Sequence, residues 1–146
     1  MIEVREYKKG DAYKVGKLRQ YFENDTTAKD RSDSHINNPY AYLKTVCDGD
    51  VVLAVLGGTL FWPGTMEIWS LTSDGVAKYP VSYVKIGRSL LDQYQERLNI
   101  TRFQAVCMSG NPKLEKWFEL LGFEKESLMK KYGPGGKDFY MYARIR

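Results

Sequence analysis

The stretch Val51–Leu71, VVLAVLGGTLFWPGTMEIWSL, constrains the fold more than any other part of the chain. Its β-branched, aliphatic and aromatic residues favour strands, and Gly57-Gly58 and Pro63-Gly64 fall where turns would interrupt them. The pattern predicts three strands, Val51–Leu56, Thr59–Trp62 and Met66–Leu71, as antiparallel neighbours.

Upstream, IEVREY alternates for one short strand, and Asp11 sits where an N-cap would open a helix carrying Val15, Leu18 and Phe22. Residues Glu23 to Asn38 are polar and nearly free of apolar side chains, which predicts a long loop. Asn38 and Pro39 then supply a cap and a first-turn proline for a helix over Tyr40–Cys47, with Tyr40, Leu43 and Val46 as its stripe.

Downstream, TSDGVAKYPV is a loop, and the helix after it places Val84, Leu91 and Leu98 on one face with Tyr94 between them. RFQAVCM is a buried strand. In NPKLEKWFELLGF, Asn111 caps, Pro112 suits the first turn, Leu114, Trp117, Phe118 and Leu121 form the buried face, and Gly122 ends the helix. The tail predicts a hairpin of Phe123–Tyr132 and Phe139–Ile145 about a Gly-Pro-Gly-Gly turn, with Phe139, Met141, Ala143 and Ile145 on one face and Tyr140 and Tyr142 on the other.

A chain of 146 residues suits a single domain, 1–146, that needs neither disulfide nor metal for stability. Its 22 basic and 18 acidic residues are interspersed, so the net charge of +4 favours an anionic partner without the clustering of a nucleic-acid module. Cys47 and Cys107 lie far apart, and Cys107 is expected as a buried thiol. His35, the single histidine, has no partner for metal or triad chemistry. The N-terminus resembles neither a signal peptide nor an anchor, and no apolar run approaches the ~20 residues of a membrane span, so the expected setting is soluble, reducing and cytoplasmic.

The order strand, two helices, three antiparallel strands, helix, strand, helix, two strands resembles the GNAT fold of acetyl-CoA-dependent N-acyltransferases. The resemblance implies an α/β (α+β) architecture: a mixed, mostly antiparallel sheet of six to seven strands with about four helices. Its most specific part is NPKLEKWFELLGF, similar to the family's fourth helix at Asn111, Phe118, Leu121, Gly122 and Phe123. MEIWSLTSDGV followed by SYVKIGRSLL is similar to the family's fourth strand, pyrophosphate loop and third helix. Of the family's Q/R-x-x-G-x-G/A pattern only Gly87 is present; Ser82 stands at the initial Gln or Arg and Lys85 at the middle glycine.

The resemblance implies that acetyl-CoA lies between the fourth and fifth strands and that a primary amine attacks its thioester directly. Leu71, Thr72 and Ser73 would meet the pantetheine arm, Ser82, Tyr83, Val84, Lys85, Ile86, Gly87 and Arg88 the pyrophosphate, and Asn111 the cofactor, with Glu67 as general base and no metal. Phe118 stands at the usual position of the general-acid tyrosine, leaving the acid unassigned among Tyr79, Tyr83 and Tyr132. For Gly87 the bland alternative is close packing of helix on sheet, for Glu67 a solvated strand carboxylate, and for Phe118 a core side chain.

Departures at Lys85 and Phe118, with a loose resemblance to the GNAT-like proteins of tailed phages, raise a second reading: an inactive GNAT-fold internal virion or assembly protein. The partners implied are a small-molecule or protein amine substrate, phage structural proteins, or a second copy of the chain. A nucleic-acid binder is the weakest of the readings.

Overall fold

A computed structural model describes residues 1–16 and 26–146. The elements are β1 (Glu3–Glu6), α1 (Asp11–Lys14), α2 (Thr26–Ser34), β2 (Ala41–Asp48), β3 (Val51–Trp62), β4 (Thr65–Thr72), α3 (Pro80–Leu98), β5 (Arg102–Met108), α4 (Pro112–Leu120), β6 (Glu124–Met129) and β7 (Phe139–Ile145). Seven strands form one sheet in the order β1-β2-β3-β4-β5-β7-β6. Two compact units divide the chain, Met1–Thr59 with Ile68–Tyr83, and Leu60–Glu67 with Val84–Arg146.

In the first unit β1 and β3 flank β2 in antiparallel ladders, with Val4 opposite Val46 and Val55 opposite Thr45. Ala12, Val15, Val52, Val55 and Leu71 form a buried cluster, covered by Tyr7, Leu43 and Trp69. Beside it the Asp11 carboxylate, 1% exposed, takes both Arg5 guanidinium nitrogens at 2.7 and 3.0 Å, the Lys8 amide at 2.8 Å and the Thr45 hydroxyl at 2.7 Å. Burial pushes that carboxyl up, and these bonds outweigh the burial to hold it at about 2.

Four expectations for this region are corrected. The segment predicted as helix, Tyr40–Cys47, is strand β2: Asn38 is extended and accepts the Tyr40 amide on its side chain at 2.9 Å, closing a local turn instead of capping a helix. The predicted loop Glu23–Asn38 contains α2 and a 3-10 turn, His35–Asn37, whose polar residues give no apolar periodicity to detect; residues 23–25 lie outside those described. Helix α1 has only four residues, its cap is Gly10, and Asp11 inside the first turn makes no cap bond because its oxygens serve Arg5, Lys8 and Thr45. Leu18 and Phe22 lie outside the described residues.

The fourth concerns Gly57-Gly58, which does not turn. Strand β3 runs straight through it, because the Trp69 indole of β4 occupies the space beside Gly57: a Cβ there would stand 2.2 Å from the Trp69 ring. The glycine serves a close approach rather than a reversal. Pro63-Gly64 does turn, Gly64 having φ +93°.

In the second unit β5 pairs with β7, and β7 with β6, in antiparallel ladders; β6, the outermost strand, has a register shift between Lys125 and Ser127. Helix α4 follows expectation: Asn111 accepts the Leu114 amide on its side chain at 3.3 Å, Pro112 occupies the first turn, and Gly122 at φ +89° follows the last turn. The predicted in-and-out pattern of β7 is corrected. Tyr142 is 1% exposed and Ile145 63%, because Phe118 of α4 stacks on the Tyr142 ring at 5.1 Å while Phe139 and Ala143 are buried at the alternate positions. Strand β7 is thus covered on both faces at its middle.

Candidate functional site

Strand β4 begins beside β5. A parallel ladder pairs Thr65, Met66 and Glu67 with Arg102, Phe103 and Gln104. In this register the Gln104 Nε2 donates to Glu67 Oε2 at 2.9 Å, while Arg102 Nε donates to Gln104 Oε1 at 2.9 Å. Arg102 in turn binds Glu126 of β6 through both terminal nitrogens, at 2.8 and 2.7 Å. Glu67 is half-buried, and the chain Glu126–Arg102–Gln104 fixes one of its oxygens. Such an arrangement presents a carboxylate in one orientation, a requirement for a positioned general base. Gln104, Arg102 and Glu126 escaped the sequence reading; the signal was a polar residue inside the apolar run RFQAVCM.

At the other end of β4, Leu71, Thr72 and Ser73 are buried. The Ser73 amide and hydroxyl both donate to the Leu53 carbonyl, at 3.0 and 2.7 Å, so neither remains for a ligand. The Thr72 Oγ1 lies 2.7 Å from the Tyr83 hydroxyl and 3.2 Å from Ser70 Oγ. Ser70 is half-buried and Tyr83, in the first turn of α3, is 4% exposed.

Helix α3 starts at Pro80, so Ser82–Arg88 lies inside it rather than in a loop before it. Pro80 has no N–H and the Tyr83 amide bonds Tyr79 O at 2.9 Å, leaving Val81 and Ser82 with the first-turn amides that the helix does not use. From Val84 to Arg88 each amide is spent on the carbonyl four residues back. Lys85 is exposed on the second turn, where a glycine would gain the backbone nothing. Gly87 packs closely on the end of α4: a Cβ there would stand 2.8 Å from Leu121 Cδ2. Arg88 donates through Nε to the Leu120 carbonyl at 2.6 Å and so closes the C-terminus of α4.

The remaining positions are structural in their contacts. Asn111 spends its side-chain oxygen on the α4 cap. Phe118 is 7% exposed, stacked on Tyr142 and edge-on to Trp117 and Phe123, both at 5.5 Å. Tyr79 donates its hydroxyl to Asp48, and the exposed Tyr132 lies against Phe139 at 5.4 Å. His35 lies 5.9 Å from the Trp69 ring. Cys107 is buried, and that burial pushes its thiol up to about 12. Among the described residues no cluster of His, Cys, Asp and Glu gathers as metal ligands would, and no helix is long and apolar enough to cross a membrane.

No protein-family profile and no curated protein sequence matches the chain. Solved structures do. A spermidine N-acetyltransferase SpeG chimera from Vibrio cholerae and hSSAT superposes with a TM-score of 0.77 at 13% identity, covering 99% of this chain and 95% of that one. The fold is that of the GNAT acetyltransferases. A GNAT-family acetyltransferase from Bacillus anthracis gives a TM-score of 0.73 at 17% identity over 99% and 94% of the two chains. Vibrio cholerae spermidine/spermine N-acetyltransferase SpeG in complex with manganese ions gives 0.72 at 15% identity over 99% and 92%. The mostly antiparallel sheet of six to seven strands with about four helices that the resemblance implies is the observed architecture, with seven strands and four helices among the described residues.

Proposed function

We propose that this GNAT-fold chain, acting as one domain in the cytoplasm, is an acetyl-CoA-dependent N-acetyltransferase that acetylates a primary amine by direct attack on the thioester. The observation that carries the reading is Glu67, a half-buried carboxylate oriented by Gln104 at 2.9 Å. Glu67 takes the proton as the amine nitrogen bonds to the carbonyl carbon and the carbon–sulfur bond breaks. Leu71 and Thr72 meet the pantetheine arm beside Ser73. The Val81 and Ser82 amides, at the positive end of the nineteen-residue helix α3, receive the pyrophosphate, with Lys85 on the next turn adding charge. Small polyamine-like amines head the list of acceptors, since several proteins of similar fold are spermidine N-acetyltransferases.

Calorimetric titration with CoA and acetyl-CoA tests the reading. The expected result is micromolar binding, ~8 kcal/mol, weakened roughly tenfold or more by Val81→Glu. Val81 is 66% exposed, so the new carboxylate suits the helix terminus and repels only an incoming phosphate. No binding at millimolar ligand overturns it.

A second reading, a catalytically silent GNAT-fold component of phage assembly or of the virion, is favoured by one set of observations. Gly87, Arg88 and Phe118 are all engaged in packing around α4. Its partners would be phage structural proteins or a second copy of the chain. Co-purification with capsid or portal proteins, without CoA binding, is the result it expects.

A further inference from the structure

Arg102 stands between two acceptors. Its Nε donates to Gln104 Oε1 at 2.9 Å, and its two terminal nitrogens bind Glu126 at 2.8 and 2.7 Å. A guanidinium has no acceptor, so the atom of Gln104 that faces it is the amide oxygen, and the amide nitrogen is left to face Glu67. Glu67 Oε2 takes that nitrogen at 2.9 Å, and among the described residues Oε1 accepts no hydrogen bond. The bonds to Gln104 and Glu67 therefore run one way, outward from Arg102, and the charge at each end strengthens the amide bonds between.

The outermost strand completes the arrangement. In the ladder of β6 on β7, Lys125 stands opposite Tyr142 and Ser127 opposite Met141, so Glu126 is the extra residue of a bulge. A bulge re-aims a side chain, and here the Glu126 carboxylate reaches back across β7 to Arg102 on β5. Ala143, which pairs with Gln104 on one side and Glu124 on the other, is 5% exposed, although α4 packs on the opposite face of β7 at Tyr142. An ion pair crossing β7 above that small side chain accounts for its burial.

We propose that Arg102 is a positioning residue for the base: it sets the Gln104 amide so that Glu67 is held through Oε2 and presents Oε1 to the amine proton, with Glu126 at the β6 bulge as its anchor. The inference rests on the acetyltransferase reading above only in naming Glu67 the base; the orientation itself belongs to β4, β5 and β6. Arg102 and Glu126 act through Gln104 and not on the substrate. Lysine cannot replace Arg102, because it lacks the planar fork that serves an amide oxygen through one nitrogen and a carboxylate through two others. The alternative role for Arg102 is a tie between β5 and β6. A tie predicts lower stability on substitution and an unchanged Gln104 amide.

NMR of the ligand-free protein reads the Gln104 side-chain amide, assigned by its loss in Gln104→Leu. The expected wild-type signal has one amide proton displaced downfield by the Glu67 bond. That displacement is lost in Arg102→Met and Arg102→Lys, where the amide turns freely, and reduced in Glu126→Leu. With an acceptor amine in hand, kcat falls roughly tenfold to a hundredfold in Arg102→Met and in Gln104→Leu while the amine KM is unchanged. The double variant is no slower than Gln104→Leu alone, because both changes remove one interaction. Glu126 is 46% exposed, so Glu126→Leu keeps the test readable if Arg102→Met unfolds. An amide signal that is the same in Arg102→Met as in the wild type, or a wild-type signal retained in Arg102→Lys, overturns the proposal and leaves the acetyltransferase reading standing. A wild type that shows the displaced amide but binds no CoA at millimolar ligand overturns that reading and leaves the orientation of Gln104 by Arg102 supported.

Discussion

Tyr142 carries its hydroxyl into the interior of the second unit with no hydrogen-bond partner among the described residues, while its ring stacks on Phe118. Leaving a buried hydroxyl unpaired costs about 1–3 kcal/mol, and burial also pushes its pKa up to about 12. Tyr142→Phe keeps the stacked ring and removes the unpaired oxygen. Thermal unfolding should show the variant as stable as the wild type or more so, by about 1 kcal/mol; a clear loss of stability would reveal a partner for that oxygen. At this scale the sequence spoke unevenly. Phe118 was legible as core because helical spacing places it with Leu114 and Leu121, and Asn111 as a cap because only its side chain and Pro112 were needed. The hold on Glu67 was not, since Gln104 is 37 positions away and meets it only through the register of two parallel strands.

Elements show where local pattern and tertiary context part. Gly57-Gly58 has the composition of a turn, yet β3 passes through it because the Trp69 ring needs the absent side chain. Gly57→Ala would set a methyl about 2 Å from that ring, so the indole must swing away. The expected cost is roughly 2 kcal/mol in chemical denaturation, with a shift in tryptophan fluorescence; a neutral substitution would show that the ring moves freely. Strand β2 reads as a helix in the sequence because Asn38-Pro39 is equally at home in a helix cap and in a turn, and the helical spacing of Tyr40, Leu43 and Val46 outweighs the β-branched Thr45 and Val46. Helix α2 was invisible for the opposite reason: with Ser32 its one buried residue among those described, it has no stripe to detect. The start of α3 was placed two residues late, which moved the expected phosphate amides from Val81 and Ser82 into the helix interior.

For the molecule as a whole, acid stability should depend on Asp11, which joins β1, the turn at Lys8 and β2. Its folded pKa of about 2 lies below the ordinary carboxylate value, so its contribution is complete above that ordinary value and is lost as pH falls toward about 2. The contribution is roughly 2 kcal/mol. Urea denaturation across acid pH should show wild type and Asp11→Asn converging as the pH drops, with the wild type the more stable at neutral pH. Parallel curves would mean that the carboxylate does not titrate with folding. The overall architecture, by contrast, was legible in outline, because the order of strands and helices survives local errors such as those at β2 and Gly57.

Strand β6 ends the sheet with Glu124, Lys125 and Glu126 in succession and a register shift between Lys125 and Ser127. A newcomer chain seeking to extend the ladder would have to desolvate those charges and would find its amides out of step with the carbonyls after Lys125. The border that could seed fibres is in this way made a poor template, and the molecule should tolerate crowding without growing by strand addition on that side.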